Sequence, residues 1–94
     1  MSVYIVTYDL HKGATPFDYE RLVTLIKEEG SWACLGSSAY LVESEQSAKQ
    51  LRDHYNEVLT EEDMLYVGIV EAPAAWHGYS KEVSDWIISK LKRI

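Results

Sequence analysis

The chain has little that would staple, anchor or charge it. It contains one cysteine, Cys34, so no disulfide closes within the chain, which is the usage of a reducing compartment. No run of apolar residues approaches the ~20 needed to cross a bilayer, and no basic stretch leads into an apolar segment at the N-terminus. These absences predict a cytoplasmic protein. Cations are scarce too: 9 Lys and Arg against 15 Asp and Glu leave a formal charge of −6. Extensive non-specific binding to nucleic acid rests on neutralising phosphates, and this balance argues against it while leaving room for a small local patch. The three histidines have no helical i, i+4 spacing, which argues against zinc. There is no internal repeat, low-complexity segment or linker long enough to divide the 94 residues, so one domain is expected.

What is present is apolar content, 47% of the chain, arranged in short runs. Val3-Tyr4-Ile5-Val6-Thr7-Tyr8 is entirely β-branched or aromatic and lacks polar alternation, so it reads as a central strand covered on both faces. Asp9 closes it, just before Leu10-His11-Lys12-Gly13. A carboxylate where a rigid strand opens into a loop suits binding or chemistry; it equally suits a side chain that only caps the turn. Thr15 and Pro16 then announce a helix with an apolar stripe at Tyr19, Leu22, Val23 and Ile26, ended by Gly30.

Ser31–Leu35 and Ala39–Val42 flank Gly36-Ser37-Ser38 and read as a β-hairpin, with Cys34 a small core residue and Gly36 at positive φ. Ser44 or Ser47 caps a second helix carrying Ala48, Leu51, Tyr55 and Val58, with His54 on its surface. Thr60-Glu61-Glu62-Asp63 is a polar connection, and Leu65–Val70 a further strand apolar on both faces. The order is β-α-β-β-α-β over residues 2–71, an α+β, ferredoxin-like antiparallel sheet with both helices on one face. After Ala72-Pro73-Ala74-Ala75, an extension over residues 76–94 adds a helix capped by Ser80, with a seam at Val83, Trp86, Ile87 and Leu91. Lys90, Lys92 and Arg93 suit the negative end of its dipole. The sheet face away from the first two helices is apolar and needs a cover. A homodimer is the simplest one, and the tail can supply part of it.

Two stretches permit a comparison. Tyr4-Ile5-Val6-Thr7-Tyr8-Asp9-Leu10 resembles the opening strand of the CRISPR-associated protein 2 family, small ferredoxin-like homodimers whose first strand runs into Tyr-Asp. Ser38-Ala39-Tyr40-Leu41-Val42 is similar to that family's serine-led third strand. The resemblance implies that Asp9 is a metal ligand, meeting its copy near the dimer axis. Many members carry a basic first helix and bind DNA beside an integrase. Here that helix begins Pro16-Phe17-Asp18-Tyr19-Glu20-Arg21, which argues against duplex DNA and against a place in an adaptation complex.

The chemistry expected at the strand end follows from the residue types. Two Asp9 carboxylates across a dyad can share Mg²⁺ with a substrate phosphate, the ion activating water. His11 can carry a proton and Lys12 can meet a phosphate oxygen. The turn serines Ser37 and Ser38 are candidate ligand-binding groups. Trp76 and His77, with Tyr79, can stack on a base, or Trp76 can simply anchor its loop. Three classes follow: a dimer that binds a nucleotide or short nucleic acid without strong catalysis, an Mg²⁺-dependent phosphodiesterase using Asp9 and His11, and a protein-interaction module. A solitary carboxylate per chain favours the first.

Overall fold

The computed structural model describes residues 1–91, so Lys92 and Arg93 lie outside the described residues. The elements are β1 (Ser2–Asp9), α1 (Pro16–Lys27), β2 (Ser31–Gly36), β3 (Ala39–Ser44), α2 (Ala48–Tyr55), β4 (Met64–Val70) and α3 (Lys81–Leu91). A 3-10 turn, Asn56–Val58, follows α2 and takes Val58 out of that helix. The four strands form one antiparallel sheet in the order β2-β3-β1-β4. This is the ferredoxin-like α+β arrangement, with α3 added after it. No helix among the described residues is long and apolar enough to cross a membrane.

Local chemistry sets the helix starts. Thr15 caps α1 and Ser47 caps α2, each closing a reciprocal box with the residue three further on, Asp18 and Gln50. Ser44 is instead buried, its Oγ accepting the Gln46 N–H at 3.0 Å. α1 ends at Lys27, earlier than Gly30 suggests, and Gly30 takes φ +94° in the turn into β2. Gly36 has φ +159°, on the margin of extended backbone, and ends β2 next to a register shift.

The register divides β1 between two cores. Tyr4, Val6 and Tyr8 face α1 and α2, where Leu22, Ile26, Leu51 and Tyr55 are fully buried. Each aliphatic side chain buried there contributes roughly 1.5–3 kcal/mol. Val3 faces the other way, with Ala33 of β2 and Leu41 of β3, and there it meets α3 through Ile87, Val83, Trp86 and Leu91. The Trp86 indole donates to Ser31 Oγ at 3.2 Å and Lys90 Nζ reaches Glu43 at 3.1 Å, which ties α3 across the sheet. The cover expected from a second subunit thus comes in part from the tail helix. It does not reach Asp9, Met64 or Tyr66, all exposed.

Cys34 corrects an expectation. It is exposed, not a core residue. β2 is an edge strand, and Cys34 pairs with Tyr40 on the side opposite Ala33, away from the α3 core.

Candidate functional site

The antiparallel pairing of β1 with β4 sets Asp9 opposite Met64, so the loop leaving β1 and the loop entering β4 share one end of the sheet. Asp63 closes that end. Its Oδ1 accepts the His11 backbone N–H at 2.7 Å and pairs with His11 Nδ1 at 2.8 Å. Its Oδ2 accepts the Thr60 N–H at 2.7 Å and the Thr60 hydroxyl at 3.1 Å. The Asp63 side chain is 3% exposed and that of His11 25% exposed. Sequence reading left this residue in a polar connection and found no second acid at the strand end; Asp63 is that acid. The legible signal was Thr60-x-x-Asp63, in which the Thr N–H and hydroxyl donate to the Asp carboxylate as in Thr15-x-x-Asp18.

This carboxylate fixes the imidazole. An ionised Asp63 only accepts, so the proton at the shared contact sits on Nδ1 and Nε2 is the ring's remaining site for exchange. Burial pushes Asp63 up, but the N–H groups of Thr60 and His11 outweigh it and hold the carboxyl at about 2. The hydrogen bond to Asp63 raises His11, against some opposing desolvation and with help from the charges of Asp63, Asp18 and Glu62. Asp18 is itself lowered, chiefly by the Thr15 N–H.

On the other side of the strand end, Thr7, Tyr8, Asp9, Ser38, Met64, Leu65 and Tyr66 line a shallow depression of ≈ 270 Å³. The hairpin turn is seated there because the Tyr8 N–H donates to the Ser38 carbonyl at 3.2 Å and the Tyr8 hydroxyl to the Ser37 carbonyl at 3.5 Å. Asp9 is exposed and its carboxylate makes no hydrogen bond with the described residues, so it does not serve as a turn cap. Lys12 is exposed just beyond.

Tyr66, 65% exposed, is a functional candidate that sequence reading missed. Its ring lies over Gly68: a Cβ there would stand 2.6 Å from Tyr66 Cε1 and 2.9 Å from the hydroxyl. The glycine lets a flat phenol rest against the sheet with its outer surface open. Trp76 and His77 are not brought to this end. The Trp76 indole donates to Ser84 Oγ at 3.0 Å and its ring packs into the α3 core, which is the loop-anchoring role; His77 is exposed beside it.

For Mg²⁺, both Asp63 oxygens are taken by donors from His11 and Thr60, which leaves Asp9 as the carboxylate that lines the depression. No cluster of three or more metal-ligating side chains occurs among the described residues. One carboxylate does not build a resident site in a single chain. Set against known protein families and curated proteins, the chain matches none.

Proposed function

We propose that this protein is a divergent, acidic relative of the CRISPR-associated protein 2 family: a small cytoplasmic homodimer that binds a nucleotide or short nucleic acid without strong catalysis. The observation that carries the reading is Tyr66 on the uncovered sheet face, beside Asp9 and Ser38. A base stacked on an open aromatic ring gains ~1–3 kcal/mol with little sequence preference. Asp9 accepts from base amino groups or sugar hydroxyls, and Ser38 both donates and accepts. Lys12 and protonated His11 are the cations nearest in sequence for a phosphate. The formal charge of −6 favours a mononucleotide or a few nucleotides over a long polyanion.

The test is calorimetric titration with nucleoside monophosphates and a short oligonucleotide. Tyr66→Ala is expected to weaken binding about 5- to 150-fold, the equivalent of one stacked base. Absence of binding at millimolar ligand, or binding indifferent to Tyr66→Ala, refutes the proposal. The phosphodiesterase reading has less support, because Asp63, the second acid at the strand end, is committed to holding His11.

A further inference from the structure

The sheet has two edges, β2 and β4, and they are treated differently. β2 carries the devices that stop edges from pairing. It has a register shift between Cys34 and Gly36, a Lys27 ammonium folded over Trp32 at 4.5 Å to the ring, and α3 bonded to its first residue through Trp86. β4 has none of them. Met64-Leu65-Tyr66-Val67-Gly68-Ile69-Val70 runs seven residues without proline, Lys, Arg, Asp or Glu, and pairs with β1 in unbroken register. Met64, Tyr66 and Ile69 are 61%, 65% and 57% exposed. An apolar, unblunted edge of this length is a template for another strand.

The strand's own pattern and its lack of charge fit a second copy of this chain. Two copies set antiparallel about Val67 bring Tyr66 opposite Gly68 twice, Leu65 opposite Ile69 and Met64 opposite Val70. Each Tyr66 ring lies over the Gly68 of its own chain, which keeps it flat against the sheet, so the two rings stand side by side on one face of the joined edge. A chain of net −6 repels its copy over most of its surface, whereas β4 brings no like charge to the contact.

We propose that two copies of this chain join through their β4 edges, antiparallel about Val67, into one continuous sheet of eight strands, four from each copy. This deepens the homodimer of the proposed function and moves its contact from the sheet face, where α3 sits, to the edge. Asp9 stands opposite Met64, three residues from the axis, so the two carboxylates lie at opposite ends of the joined strands. Each protomer then keeps its own Asp9, Ser38 and Tyr66, with both tyrosines on one face.

Sedimentation of the full chain at tens of micromolar is expected to give a dimer. Met64→Lys and Ile69→Lys, both at exposed positions, should each raise the dissociation constant at least tenfold with the thermal melt of the protomer retained. In a Cys34→Ser background, Val67→Cys should cross-link its copy under mild oxidation, because antiparallel partners at an axis stand ~4.5–5.5 Å apart, within disulfide reach. A monomer at these concentrations overturns the proposal. So does a dimer indifferent to both lysines, or one whose Val67→Cys form stays uncross-linked. Nucleotide titration of the monomeric Ile69→Lys variant judges the proposed function alone, since its site residues remain in each chain.

Discussion

Replacing Asp63 with alanine removes the acceptor of four hydrogen bonds at once, two from His11 and two from Thr60. Thr60 is exposed, so water rehydrates much of what it loses. The His11 donors are part-buried, and a donor left without a partner costs about 1–3 kcal/mol. A loss near 3 kcal/mol is therefore expected for Asp63→Ala. The lowered carboxyl expresses the same contacts as a proton-linked free energy. A carboxyl held at about 2 in the folded chain, against about 3.9 unfolded, corresponds to roughly 2.5 kcal/mol at neutral pH. The sign follows from the lowered value: this stabilisation is present above pH ~4 and is lost as pH falls through about 2. His11 is raised, so its contribution is complete below ~6.5 and is lost as pH rises through its folded value. The pair should hold best between those limits. Urea unfolding of wild type, Asp63→Asn and Asp63→Ala at neutral pH checks the magnitude, with Asn falling between the other two because it keeps one acceptor oxygen. The His11 ring proton resonances check the cause, since its pKa should move back toward 6.5 in both variants. A loss below about 0.5 kcal/mol for Asp63→Ala, with His11 titrating unchanged, refutes the reasoning.

Two further outcomes follow from the cores. Tyr55 is fully buried, and its hydroxyl has no partner among the described residues, with burial driving its pKa far upward; Tyr55→Phe should leave stability unchanged or raise it by about 1 kcal/mol, and a clear loss in denaturant midpoint would reveal a partner. Cys34 should react with a thiol reagent in the native state at a rate little slowed from that of the unfolded chain, and protection against the reagent would return it to the core.

The local rules were legible where sequence-near chemistry decides them. Thr15 with Pro16, a serine at 44 or 47, and the stripes through Leu22 and Ile26 and through Leu51 and Tyr55 gave α1 and α2 because caps and periodicity act over a few residues, although only the structure decides for Ser47. The same holds for β1, whose two apolar faces correctly called for two covers. Which cover lay on which face depended on where α3 docks, a contact between Trp86 and Ser31 at a separation of 55 residues that no local pattern encodes. At the site, Asp9 and His11 were readable as a carboxylate and an imidazole at a strand end. Asp63 was not, because its role comes from strand order: β4 pairs with β1 and swings the preceding loop onto His11. Cys34 went wrong for a related reason. An apolar run does not say whether its strand lies at the middle of a sheet or at its edge.

The helix that shields Val3, Ala33 and Leu41 is also the last of the described elements to be synthesised. Its core shares no buried residue with that of α1 and α2, so a local opening can lift α3 away while the four strands stay paired. In that open form the sheet presents an apolar face as well as the bare β4 edge, so the open protein is stickier than the closed one. Loosening α3 alone, by removing the contacts of Trp86 to Ser31 and Lys90 to Glu43, should therefore favour aggregation before the rest of the fold melts.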